Sequence, residues 1–190
     1  MPQEIHDRRV RKTRAQLRRA LTELLLEKDI RSITVRELTE RADVNRGTFY
    51  AHYRDIFDLV EQTENELLQE IDTILKACPP DRLRRDVLPI LREVFRFVDQ
   101  NQSLCRSFLD RQSGDGFFHR LNSLIYQKCL QEWDGLFPLG DLSQPNYCLE
   151  FLVSGTVGLV RAWAIRGFRE SPEEMAQLAN QLILSGIRSL

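Results

Sequence analysis

Residues 34–53 read TVRELTERADVNRGTFYAHY, and the second half of this stretch places Asn45, Arg46, Gly47, Thr48, Tyr50 and His52 within eight positions. The chemistry of this set is hydrogen bonding and charge. A guanidinium forks onto a guanine edge or a phosphate, and hydroxyl and imidazole groups bond phosphate oxygens. Gly47 is a poor helix former, costing about 1 kcal/mol against alanine, which is intelligible where a side chain would collide with a large partner such as duplex DNA. Motifs of covalent or cofactor chemistry are missing: there is no G-x-S-x-G, P-loop or G-x-G-x-x-G, and Gly155-Thr-Val-Gly158 lacks the preceding strand. His6, His52 and His119 are far apart and belong to no H-E-x-x-H pattern. No enzyme activity, metal site or cofactor is expected. Cys78, Cys105, Cys129 and Cys148 are widely spaced with no C-x-x-C pair, which argues against a disulfide scaffold and for a reducing, cytoplasmic location.

The elements that must position this set can be read from capping and periodicity. Thr34-Val-Arg-Glu37 matches the S/T-x-x-E capping box and opens a short helix over 34–41, with Val35, Leu38 and Ala42 on its inner face. A turn follows at Asp43-Val44. Asn45 caps a second short helix over 45–53, in which Phe49 and Tyr53 form an inward i,i+4 pair. A longer helix over 7–28 precedes both, with Val10, Leu17, Leu21, Leu24 and Leu25 at helical spacing. Between Arg8 and Arg19 it carries seven basic residues and no acidic one, so it reads either as a solvated face or as a surface turned to phosphate. Two short helices joined by a tight turn and braced by a basic helix describe a helix-turn-helix.

The remaining chain is also helical, with expected spans of 55–77, 82–100, 103–111, 116–133, 146–166 and 172–190 and a loop at 135–145. Cys78-Pro79-Pro80 stops the first of these, and Pro89 should kink or restart the second. The fold class is thus all-α, with about nine helices. The span 146–166 carries only Glu150, Arg161 and Arg166 as charges and is apolar all round, so it must be covered on more than one side. A homodimer interface through the last two helices, centred on Phe151, Gly155, Gly158, Leu159, Leu178 and Leu182, would cover it. Gly167 is placed to end that helix, and Ser171-Pro172 to begin the final one. The aromatic residues Phe95, Phe97, Phe108, Phe117, Phe118, Tyr126 and Trp133 are either core or the wall of a ligand pocket.

Charge is unevenly distributed. The 190-residue chain has net charge -1, but residues 1–55 carry 13 Lys+Arg against 9 Asp+Glu, while residues 56–190 carry 14 against 19. A basic segment is joined to an acidic remainder, as in a chain with two functional parts. The longest uncharged apolar run, Phe151–Val160, has ten residues, short of the roughly 20 a spanning helix needs. The opening MPQEIHDRRV has no apolar core of a secretory signal.

The segment ITVRELTERADVNRGTFYAHY resembles the DNA-binding signature of the tetracycline-repressor (TetR) family, over about residues 8–60. FLVSGTVGLVRAWAIRGFRESPEEMAQLA resembles the dimerising end of one TetR subgroup. The resemblance implies a DNA-binding domain at 1–54 and an effector-binding and dimerisation domain at 55–190. It implies that Thr34 contacts phosphate, that Asn45, Arg46, Gly47 and Thr48 face bases or adjacent phosphates, and that Tyr50 and His52 hold the backbone. Many members carry a phosphate-contacting Lys where this chain has Ile56, so that contact is missing here or replaced by Arg54. The implied partners are a pseudo-palindromic operator in double-stranded DNA, a second copy of the chain and a small-molecule effector of unnamed chemistry, with no membrane. The implied function is a repressor released by that effector. An activator, a regulator working through a partner protein, and a helical enzyme or interaction module with a basic face remain open alternatives.

Overall fold

The computed structural model describes residues 2–83, 86–109, 116–132 and 147–188. Among these residues there are ten α-helices, one single-turn 3-10 helix and no strand. The chain divides into two compact units, Met1–Glu66 and Leu67–Leu190, and the division falls inside a continuous helix. The expected loop at 135–145, together with Trp133, Arg111 and Asn146, lies outside the described residues.

The first unit contains α1 (Pro2–Glu27), the 3-10 turn Ile30–Ser32, α2 (Val35–Ala42), α3 (Arg46–Tyr50) and the start of α4 (Ile56–Lys76). Leu17, Ala20, Leu21 and Leu24 of α1 are buried, whereas Val10 and Leu25 of the expected stripe are only half-buried. Leu38, Ala42, Phe49, Tyr53, Ile56, Leu59 and Val60 are buried as well, so the two long helices α1 and α4 and the two short helices α2 and α3 all contribute to the unit's core. The 3-10 turn was not foreseen. Asp29 caps it by accepting the Arg31 N–H at 2.7 Å, and Ile30 and Ile33 anchor it in the core.

The second unit contains the rest of α4, then α5 (Pro80–Leu83), α6 (Leu88–Gln100), α7 (Gln102–Leu109), α8 (Gly116–Glu132), α9 (Tyr147–Ile165) and α10 (Pro172–Arg188). The helix expected over 82–100 is two helices. Asp86 accepts the Leu88 N–H at 2.9 Å, and Pro89 sits in the first turn of α6, where its missing N–H costs nothing. Helix α6 packs on α10, and α7 and α8 pack on α9. Trp163 is fully buried; its Nε1–H donates to the Glu170 carbonyl at 3.0 Å, and its ring meets Phe95 and Phe168 edge-on. Gly167 (φ 81°) turns the chain out of α9 as expected, and Phe168 is drawn into the same left-handed region (φ 55°) beneath Trp163. Ser171 and Glu174 form the reciprocal capping box that opens α10. Arg92 grips Glu173 through two nitrogens at 2.7–3.0 Å, joining α6 to α10.

Phe95, Phe97, Phe108, Phe117 and Phe118 are all buried, and Tyr126 is half-buried. Lys128 of α8 is also nearly buried, with Asp72 of α4 3.3 Å from its ammonium group. Hydrogen bonds from Lys76 and Lys128, against a burial penalty, hold the Asp72 carboxyl below its ordinary value of 3.8. A carboxyl depressed in the folded state adds stability that is present above its unfolded pKa and is lost as pH falls through the lowered native value. Asp72→Asn is therefore expected to cost about 1–3 kcal/mol at neutral pH, through the weakened partnership of a buried ammonium. Urea titrations should show that difference shrinking below pH ~4.

Candidate nucleic-acid interface

The local geometry of residues 34–58 follows from four caps and two buried rings. Thr34 Oγ1 accepts the Glu37 N–H at 3.2 Å and starts α2. The return half of the expected capping box is replaced, because the Glu37 carboxylate pairs with Lys28 instead. Arg41 then forks onto Glu27 at 2.8 and 3.1 Å, tying the end of α2 to the end of α1. Asp43 adopts the left-handed conformation (φ 53°) that ends α2, with the Val44 N–H on the Thr39 carbonyl. Asn45 Oδ1 accepts the Gly47 N–H at 2.8 Å and caps α3.

Helix α3 has five residues, shorter than the span 45–53 expected from the sequence. The chain leaves it by a tight turn in which the N–H groups of His52 and Tyr53 both donate to the Phe49 carbonyl at 2.9 Å. Phe49 is 0% exposed and Tyr53 3%, with ring centroids 5.6 Å apart. Burying these two rings turns the opposite face outward. Thr34, Asn45, Arg46, Gly47, Thr48 and Tyr50 are all exposed, and they cluster at the α2 start and along α3. His52 is half-buried with its ring against Tyr53. Gly47 has a local reason as well as the one read from the sequence: a Cβ there would lie 3.3 Å from the capping Asn45 oxygen.

Ile56 is buried, so the position where many TetR-like chains carry Lys belongs here to the core. The neighbouring exposed cation is Arg54. Its N–H donates to Asp58 at 2.8 Å, and its guanidinium lies 3.6 Å from the same carboxylate. That backbone bond, with help from Gln62, holds the Asp58 carboxyl below its ordinary range. Asp55 accepts the Asp58 N–H at 2.8 Å and caps α4. The Asp55-Ile-Phe-Asp58 pattern is a sequence-level cap signal that the reading of the sequence passed over.

No group of three or more His, Cys, Asp or Glu among the described residues is arranged to hold a metal. The Cys105 and Cys129 thiols are pushed up to about 12 by burial, which leaves them protonated and unreactive at neutral pH.

Comparison with known proteins decides the family. Residues 17–63 match the family model described as bacterial regulatory proteins, tetR family, and residues 85–185 match a transcriptional regulator C-terminal region. The chain belongs to the tetR family. A 121-residue stretch is 30% identical to the HTH-type transcriptional regulator YxbF of Bacillus subtilis (strain 168), covering 60% of this chain and 30% of that protein. This regulator thus spans less than a third of the length of that relative. Solved structures with the same fold include the dihydroxyacetone kinase operon activator DhaS (TM-score 0.71, 15% identity, 94% and 97% of the two chains). They also include a TetR-family regulator from Syntrophomonas wolfei (0.72, 14%, 92% and 94%). NalD, the secondary repressor of the MexAB-OprM multidrug efflux pump in Pseudomonas aeruginosa, is a third (0.68, 18%, 95% and 100%). Members of the family are transcriptional regulators rather than enzymes; they bind DNA operators and typically act as dimers.

Because α3 is held by its rings and its cap, the regulator's interface should be sensitive to both. Phe49→Ala is expected to cost about 3–5 kcal/mol and Asn45→Ala about 1 kcal/mol, both measured by urea unfolding.

Proposed function

We propose that the chain is a dimeric, sequence-specific regulator of transcription that represses by occupying its operator and is released by a small-molecule effector. The observation that carries this reading is the outward face of α3, with Arg46, Gly47, Thr48 and Tyr50 exposed around a ring-anchored core in a tetR-family chain. In this reading α3 enters the major groove with its N-terminal residues at base edges. Arg46 reads a base, while Thr48 and Gly47 approach the groove wall. Thr34, Tyr50 and His52 hold phosphates on either side, and Arg54 supplies the positive charge that Ile56 does not.

The second copy is argued from α9 and α10. One side of α9 is buried through Leu149, Val153, Val157, Val160, Trp163 and Ala164. The other side is bare: Tyr147, Phe151 and Ile165 are 74%, 75% and 66% exposed, and an added Cβ at Gly155 or Gly158 would meet nothing within 4 Å. Leu178 and Leu182 of α10 are exposed as well, and Leu159 is half-buried. By length and composition α9 could cross a membrane. Its buried side and the hydrogen-bonded Trp163 instead favour a helix with one face in its own unit and the other on a twofold mate. Two copies of α3 would then meet a pseudo-palindrome at successive major-groove faces, about 34 Å apart. The effector would act in the second unit and bias the separation of the two copies through α4, which runs through both units. It can do so only by preferring one separation over the other. Such a regulator works in the cytoplasm, beside the chromosome.

Activation is the second reading, favoured by one observation: the fold is shared with an operon activator, DhaS, as well as with the repressor NalD. Where the operator lies relative to the promoter decides between them.

On duplexes selected from a random library by the full chain, Arg46→Ala should lose about 1–3 kcal/mol on the best sites and flatten the preference at one base pair. Tyr50→Phe should weaken all sequences alike. Wild-type affinity in both variants would mean that another face meets DNA. Gly158→Glu should give a folded monomer in sedimentation velocity where the parent chain sediments as a dimer, and a monomeric parent at micromolar concentration would remove the twofold scheme.

A further inference from the structure

Helix α9 holds one acid and one base, Glu150 and Arg161, in a segment otherwise without charge. About 16 Å of helix separates them, too far for the two to pair within one chain. The same spacing is close to three whole turns, so both stand within about 20° of each other on one edge of the helix. Both are exposed, and they border the bare face of α9. The Ser154 hydroxyl donates to Glu150 at 3.1 Å and lies 3.3 Å from Asn122 of α8, which holds the carboxylate at that edge.

The bare face has a symmetry of its own. Tyr147 and Ile165 stand nine positions either side of position 156, and Ser154 and Gly158 stand two positions either side. These four lie within about 40° around the helix and form the middle of the face. Glu150 and Arg161, six and five positions out, take one edge, and the exposed Phe151 and Ala162, five and six positions out, take the other. A twofold axis perpendicular to α9 at that level reverses the helix end for end and keeps each edge on its own side. Tyr147 then meets Ile165 of a second copy, Phe151 meets Ala162, and Glu150 meets Arg161. Ser154 and Gly158 meet where the two backbones approach most closely. Large groups face smaller ones, and opposite charges face each other twice. A parallel pair would instead set Phe151 on Phe151 and Glu150 on Glu150. Sliding the antiparallel pair by seven residues carries either Arg161 and Ile165, or Tyr147, Glu150 and Phe151, past the end of the facing helix.

We propose that Glu150 and Arg161 are the residues by which the chain selects its partner: they fix an antiparallel α9 pair centred on position 156 and reject helices of other charge order. The proposal rests on the twofold reading of α9 given above. An apolar stripe by itself accepts many apolar helices, whereas a charge pair set symmetrically about the axis is satisfied by a second copy and opposed by a chain with like charges at those places. Regulators of the same fold are thereby kept from forming mixed dimers with this one, and both halves of the operator are read by identical copies of α3.

The test uses the full chain, Glu150→Arg, Arg161→Glu and the double variant carrying both changes. All the changed positions are exposed, and circular dichroism confirms that each variant is folded. Sedimentation equilibrium gives the dimer Kd, and native mass spectrometry of an equimolar mixture, with one variant tagged, gives the partner preference. Each single variant turns two attractive pairs into two repulsive ones and should dimerise roughly 30-fold more weakly than the parent. The mixture of the two single variants should form the mixed dimer in preference to either homodimer, because that combination restores opposite charges at both places. The double variant should return to within about threefold of the parent, since it exchanges the charges without changing their pairing. Single variants as tight as the parent, together with statistical pairing in the mixture, overturn the proposal and leave the twofold reading standing. Weakened single variants that do not prefer each other overturn it as well, because the charges then act without this register. A parent chain that stays monomeric at micromolar concentration overturns the twofold reading itself.

Discussion

Everything the first unit presents to a partner depends on the burial of Phe49. A helix of five residues has no stability of its own; isolated helices shorter than about 12–15 residues are marginal in water. What holds α3 in place is a ring with no exposure, a second ring at Tyr53 one turn later, and the Asn45 cap at its front. The side chains that remain, Arg46, Thr48 and Tyr50, point outward because the inward positions are taken. The outward face is a consequence of core packing, in which α3 packs against α2 and α2 against α1. The Arg41–Glu27 fork and the Asp29-capped turn set where α2 starts relative to α1, and so where α3 is delivered.

The second unit obeys the same logic with the opposite outcome. Trp163 ties α9 to its unit through a hydrogen bond to Glu170 and edge contacts with Phe95 and Phe168, and Arg92 ties α10 to α6. Those ties fix one face of each helix. The other face of α9 is too apolar to be an ordinary solvent surface, and the two exposed aromatic residues near its start stand where a large neighbour would be needed. One unit leaves polar groups outward and the other leaves apolar ones, which matches a chain whose two ends meet different partners.

Much of this was legible in the sequence wherever the signal is local. Thr34, Asn45, Ser171 and Gly167 cap the helices they were expected to cap, because capping depends on a few neighbouring residues. Phe49 and Tyr53 were readable as core from their spacing alone. The 3-10 turn Ile30–Ser32 was not, since three residues show no period. The shortened α3 and the division of 82–100 into α5 and α6 are boundary effects, decided by local hydrogen bonds accepted by the Phe49 carbonyl and the Asp86 carboxylate. The partner of Glu37 could not be foreseen, because Lys28 lies nine positions earlier and reaches it only once α1 and α2 pack. The Ile56 position shows the converse. A residue type that looks like a lost surface contact is a core residue, and only burial reveals which.

The central claim is that two copies of α3, fixed by Phe49 and Tyr53, read DNA together. Hydroxyl-radical footprinting of the full chain on a library-selected duplex tests it most directly. The account predicts two symmetric protected half-sites about one helical turn apart, both lost together in Gly158→Glu at concentrations where the parent saturates. A single unsymmetrical protected patch, unchanged in that variant, would contradict it.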